Sequence, residues 1–267
     1  MLTLKIGVQT ASLRQTFKQS LQTASRMGVD AVEIDARTEL RPASLSETGL
    51  RQFRKMLKDL NLKVCAVAFP TRRGYDQFED LDRRVAATKE AMKMAYALGA
   101  SVVVNQIGQI PDPPDAENVD DANDRWQSLL DVLSDLGHFG NHHGAQLAAE
   151  TGSESGAALA KLLAAVPQAS VGATLNPGNL IVNGFSPAEA VRELGENILY
   201  VRVRDAVRDI ARGRGGEVAL GRGSADFPAL LGTLEEHDYR GYLAIERREA
   251  QDPIFEISQA ILYLRNL

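Results

Sequence analysis

Apolar residues gather in short runs along this chain, and each run is followed by a longer stretch in which they recur every three or four positions. The runs begin near Lys5, Ala31, Lys63, Ser101, Ala145, Ala169, Ile198 and Gly241. Most are rich in β-branched residues and uninterrupted by polar positions, which predicts parallel strands buried on both faces. Helical spacing covers Phe17 to Met27, Leu50 to Leu60, Asp82 to Leu98, Trp126 to Phe139, Ala157 to Ala165, Pro187 to Leu194, Phe227 to Leu234 and Ile254 to Leu264. Ser186 before Pro187 reads as an N-cap followed by a first-turn proline. Eight βα units in strict alternation predict a (β/α)₈ TIM barrel, a single domain spanning residues 1–267. An open doubly wound sheet is the alternative. It is weakened because the first βα turn, Gln9 to Leu13, lacks the glycine fingerprint of dinucleotide folds. Two stretches read as loops on the catalytic face of such a barrel: Ile110 to Asp115, and the Gly- and Arg-rich Asp209 to Ser224.

Composition narrows the function classes. A net charge of −5 argues against a nucleic-acid partner, which needs a basic face. No apolar run approaches the roughly 20 residues of a membrane span, and the first eight residues lack the pattern of a signal peptide. The single Cys65 rules out an intrachain disulfide framework and fits a reducing, cytoplasmic setting. Its apolar flanks predict a buried strand residue, not a nucleophile.

The chemistry concentrates where strands end. Glu150 closes Leu147–Glu150, Asn176 follows Ala173–Leu175, Arg202 lies in Tyr200–Asp205, and Glu246 closes Tyr242–Glu246. Two acids at strand ends suggest a metal or acid/base site. Together with Gly221-Arg-Gly-Ser-Ala-Asp-Phe227 and Tyr239-Arg-Gly-Tyr-Leu-Ala-Ile-Glu246, these segments resemble the sugar phosphate isomerase/epimerase family, the xylose-isomerase-like barrels. The resemblance covers the whole chain and is strongest from Leu147 onward. It implies a barrel, a small sugar, sugar phosphate or sugar acid as substrate, and proton transfer through an enediol between Glu150 and Glu246. It also implies association into a homo-oligomer.

Family members usually carry Glu, Asp, His and Glu at the four places, holding one divalent metal (Mn, Mg, Co or Zn). Here Asn176 stands for the Asp and Arg202 for the His, so a weakened or lost metal site is expected. Asn176 can offer one carbonyl oxygen beside Glu150 and Glu246, but Arg202 has no lone pair to give. Two carboxylates plus one Arg carry the same net charge as three carboxylates, one His and a divalent cation. Arg202 is therefore expected to replace the metal and to bridge Glu150 and Glu246. Asn105 stands where many relatives have His, Glu33 where many have Glu, and Gln9 is expected to face the mouth. Arg202 and Arg204 should share one strand face and, with Arg208, Arg212, Arg214 and Arg222, could capture an anion.

His138, His142 and His143 fall at the end of the fourth helix and His237 at a helix-end turn, away from strand ends. A His-rich multi-zinc endonuclease of the same superfamily is thereby disfavoured. The competing reading is a non-catalytic binding protein for anionic sugars on a retired isomerase barrel.

Overall fold

The computed structural model describes residues 4–111, 121–166, 171–209 and 214–267. Eight parallel strands close into a barrel: β1 (Lys5–Gln9), β2 (Ala31–Asp35), β3 (Lys63–Ala68), β4 (Val102–Asn105), β5 (Gln146–Glu150), β6 (Val171–Leu175), β7 (Ile198–Val203) and, last in the chain, β10 (Tyr242–Ile245), which seals against β1 and β7. The open-sheet alternative is thereby set aside. Around it run α1 (Phe17–Met27), α2 (Glu47–Asp59), α3 (Leu81–Ala97), α4 (Asp121–His143), α5 (Gly156–Ala165), α6 (Pro177–Val182), α7 (Pro187–Leu194), α8 (Phe227–Glu236) and α9 (Pro253–Arg265). The helical periodicity marked all of these except α6. Ser186 caps α7 through the Glu189 amide as its sequence predicts. No helix among the described residues is long and apolar enough to cross a membrane.

One expected loop has a different structure. Within Asp209 to Ser224, the residues flanking 210–213 form an antiparallel hairpin of β8 (Asp205–Asp209) and β9 (Arg214–Val218). Asp205 anchors the turn between this hairpin and α8: its carboxylate accepts from the amides of Ala206, Gly221, Gly223 and Ala225 at 2.8–3.1 Å. This acid therefore spends its oxygens on the loop. Of the Ile110–Asp115 loop, residues 112–115 lie outside the described residues, as does Arg212.

The barrel interior explains how a charged layer comes to sit at its mouth. Ala31, Cys65, Ala66, Val102, Val104, Ala148, Tyr200 and Ala244 pack together as a small cluster separate from the main core between sheet and helices. Side chains alternate along a strand, so two residues further on the same face returns. Two past Ala31 is Glu33, two past Ala148 is Glu150, two past Tyr200 is Arg202, and two past Ala244 is Glu246. One pleat below the mouth is thus apolar and mostly small. The next is ionic and still nearly sealed, with Glu33 at 0%, Arg202 at 3%, Glu246 at 2% and Glu150 at 7% exposure. Cys65 lies in the apolar layer, its sulfur 3.3 Å from the Tyr200 hydroxyl, and burial pushes its thiol up to about 12. At that value it is no nucleophile at neutral pH.

Candidate active site at the barrel mouth

Glu150 and Glu246 meet through a single amide. Asn176 Nδ2 donates to Glu150 Oε1 at 2.8 Å and to Glu246 Oε2 at 3.0 Å. The local fold dictates which end of the amide faces the carboxylates. Asn176 is the N-cap of α6, and its Oδ1 accepts from the Asn179 amide at 3.1 Å. With Oδ1 turned to the cap, the NH₂ is the end that faces the carboxylates. The sequence suggested the carbonyl oxygen for this face; the structure places the NH₂ there. The short helix α6, which the periodicity did not mark, sets the orientation of this residue.

Arg202 lies at the centre of the ionic layer, but its partners differ from the expected pair. Its Nη1 donates to Glu150 Oε1 at 2.7 Å. Its Nη2 and Nε grip Glu33 Oε1 and Oε2 at 2.7 and 3.0 Å. It bridges Glu150 and Glu33 instead of Glu150 and Glu246. Glu33 on β2 presents both oxygens in the plane of the guanidinium fork, the strongest geometry for such a pair. Gln9 Nε2 adds a third donor to Glu33 at 2.8 Å, so Gln9 does face the mouth. Burial alone would drive protons off Arg202, yet the charges of Glu150, Glu33 and Glu246 hold its pKa well above the ordinary value.

Glu246 takes its cation from elsewhere. Its Oε1 forms an ion pair with Arg248 Nε at 2.5 Å, next to the Asn176 bond on Oε2. Burial would raise its pKa, but the charges of Arg202, Arg248 and Arg204 and the Asn176 bond outweigh it, so the carboxyl sits below its ordinary value and stays ionised. Glu150 differs in one respect: none of the described residues donates to its Oε2.

The remaining expected site residues are placed differently. Arg204 pairs with Glu217 on β9 at 2.9 Å and donates to Asn179 Oδ1 at 2.5 Å, tying the hairpin to α6. Arg247 joins the same knot through Glu217 and Glu256. Arg208 packs beside Gly184, and Arg222 is exposed. Asn105 accepts from the Thr71 amide at 3.1 Å and donates to the Tyr75 hydroxyl at 2.8 Å, fixing the loop after β3 instead of joining the carboxylates.

Glu154 escaped the sequence reading. It lies in the loop after β5, four residues beyond Glu150, and no periodicity marks it. Burial pushes its carboxyl up to about 7; a Ser153 hydrogen bond opposes this, and the Glu150 charge adds to it. Its Oε1 is buried with no hydrogen-bond partner. A carboxyl raised in the folded state favours the fold below its unfolded value and loses that contribution as pH climbs to about 7. Glu154→Gln is therefore expected to gain on the order of 1–3 kcal/mol over wild type between pH 5 and pH 8. Urea melts across that range check this, and parallel curves would show Glu154 to be solvated.

Among the described residues no group of three or more His, Cys, Asp or Glu is arranged to hold a metal. The donor chemistry agrees with that geometry, because a guanidinium occupies one flank of Glu150 and an amide NH₂ separates it from Glu246.

Comparison with known proteins agrees with the barrel. The family model described as a xylose isomerase-like TIM barrel matches residues 21–267. An inosose dehydratase from Clostridium botulinum is 22% identical over 261 residues, covering 89% of this chain and 83% of the relative. A xylose isomerase domain protein from Planctomyces limnophilus superposes with a TM-score of 0.84 at 26% identity, covering 98% of this chain and 96% of that one. A xylose isomerase-like TIM barrel protein from Mycobacterium smegmatis, solved in complex with magnesium, gives 0.78 at 17% identity, covering 98% and 96%.

Proposed function

This chain belongs to the xylose isomerase-like TIM barrels, and from that premise we propose that it is a sugar-modifying enzyme of isomerase or epimerase type that moves a proton between Glu150 and Glu246 without a metal. The observation that carries the reading is the Asn176 amide shared by both carboxylates, which holds the acid that ends β5 and the acid just past β10 within reach of a single nitrogen. A carbon next to a carbonyl, held against the mouth side of both carboxylates, loses its proton to one and regains it from the other. Glu150 Oε2, to which none of the described residues donates, is the better-placed base.

The negative charge that grows on the carbonyl oxygen needs a cation nearby. In the magnesium-bound relative a metal is present. In this chain the donor set does not fit a divalent ion, because Arg202 cannot ligate and Asn176 presents hydrogens. We assign the stabilising charge to Arg202, whose position is fixed by Glu33 and Glu150. Removal of a proton beside a carbonyl is also the natural first step in dehydrating an inosose, the activity carried in the name of the Clostridium relative. The substrate class is accordingly a small polyhydroxylated carbonyl compound: a ketose, an aldose, a keto sugar acid or an inosose.

The test is hydrogen exchange. Protein held in excess chelator and D₂O is given that panel, and NMR reads the replacement of C–H by C–D beside the carbonyl. Exchange on at least one member, unchanged by chelator, is expected. Exchange that chelator abolishes and added metal restores would mean a metal centre. Lack of exchange across the panel, with thermal stabilisation by anionic sugars, would favour the non-catalytic binding protein. That second reading draws on a specific feature: every carboxylate of the mouth is already paired with an arginine.

A further inference from the structure

The arginines around the mouth are unequally committed. Arg202 spends three donors on Glu33 and Glu150. Arg204 is shared between Glu217 and Asn179, and Arg247 between Glu217 and Glu256. Arg14 is spent on the carbonyls of Arg248 and Ala250. Arg248 is the exception. None of the described residues accepts a hydrogen bond from its guanidinium, and its one close partner is Glu246 across the 2.5 Å ion pair. The Arg248 side chain is 57% exposed while that of Glu246 is 1% exposed. Its backbone is tethered by Arg14, so the side chain can move while its root stays in place.

Such a pairing costs less to break than a fully sealed one, because the arginine is largely in water and Glu246 keeps its Asn176 bond when the arm leaves. It also sits on one of the two carboxylates to which proton transfer is assigned above. We propose that Arg248 is the specificity arm of this site: it rests on Glu246 in the empty protein and turns its fork onto an oxyanion of the ligand, which makes the ligand an anionic sugar. This rests on the mouth being the ligand site, and it deepens that reading by selecting sugar acids and sugar phosphates over neutral sugars. Both anions present paired oxygens to a guanidinium fork. Transfer of the arm leaves Glu246 Oε1 unpaired when, and only when, a charged ligand is present, so binding and exposure of the carboxylate are coupled. Of the arginines first suggested for anion capture, Arg202 and Arg204 have no comparable freedom.

Calorimetric titration with gluconate, glucose 6-phosphate and glucose tests it, since the three share a carbon chain and differ in the charged group. Wild type is expected to bind at least one of the anions more tightly than glucose, and which anion wins separates carboxylate from phosphate. Arg248→Gln should weaken that anion roughly tenfold or more and leave glucose unchanged. Arg248→Lys keeps the charge and loses the fork, so an intermediate loss is expected; it also provides the reading if the Gln variant does not fold. Equal weakening of glucose and the anion, unchanged anion affinity in both variants, or no anion binding by wild type each overturns the proposal. Binding is read without turnover. A protein that binds the anion but exchanges no deuterium retires the catalytic reading and leaves this one intact.

Discussion

Replacing Arg202 by Met lowers stability by about 3–5 kcal/mol, and with it the melting temperature by roughly 10 °C or more. The magnitude comes from the groups left behind. Glu33 is fully buried, Glu150 nearly so, and both lose their cation at once. Stranding buried carboxylates costs far more than the intact pair contributes, because their desolvation is no longer offset. Gln9 still donates to Glu33, and Asn176 still donates to Glu150. Those neutral bonds soften the loss without removing it. Lys at this position restores the charge but cannot grip both oxygens of Glu33 while reaching Glu150, so a sizeable part of the loss remains. Arg248→Gln supplies the contrast: Glu246 is buried but keeps its Asn176 bond and the nearby Arg202 charge, so a smaller loss of about 1–2 kcal/mol is expected. Urea denaturation of the three variants reads the difference. An Arg202→Met cost below about 1 kcal/mol would show that water reaches the layer and screens it.

The second large effect is on catalysis. Glu150→Gln and Glu246→Gln should each lower kcat about 10²–10⁴-fold on whichever panel member exchanges deuterium, with a much smaller change in KM. The side chains are isosteric, and a Gln oxygen still accepts from Arg202 or Asn176, so the fold and the ligand pocket persist. The variants lose only the group that takes or returns the proton. The two losses should not multiply in the double variant, because both residues act on one proton-transfer sequence. A single variant that keeps kcat within about tenfold of wild type would remove that residue from the acid/base pair.

How much of this was legible in the chain varies residue by residue. Eight apolar runs with helical spacing between them are enough for a barrel, since uninterrupted β-branched strands must be covered on both faces and strict βα alternation makes them parallel. The alternation within strands also places Glu33, Glu150, Arg202 and Glu246 on the inward face, a property of local geometry alone. Helix α6 was not legible, because six residues that begin with a proline carry too little periodicity to distinguish a helix from a turn. The β8–β9 hairpin was masked by its glycines and arginines, which read as loop.

The sequence by itself therefore determined the architecture, the inward acids, and the exchange of two ligand positions for an amide and a guanidinium. Only the tertiary structure decided who pairs with whom. Arg202 could have joined Glu150 to Glu246 on chain logic; it joins Glu150 to Glu33 because β2 presents both Glu33 oxygens to the fork. Asn176 could have offered an oxygen; the α6 N-cap took it and turned hydrogens toward the carboxylates. Glu154 carried no sequence signal, and Arg248 stood out only as one of two arginines following Glu246 in a basic stretch that could capture an anion; burial of the one and exposure of the other depend on the tertiary structure. Side-chain direction along a strand is local, whereas hydrogen-bond partners across a barrel are set by strands far apart in the chain, and that physical difference divides what could be read from what had to be seen.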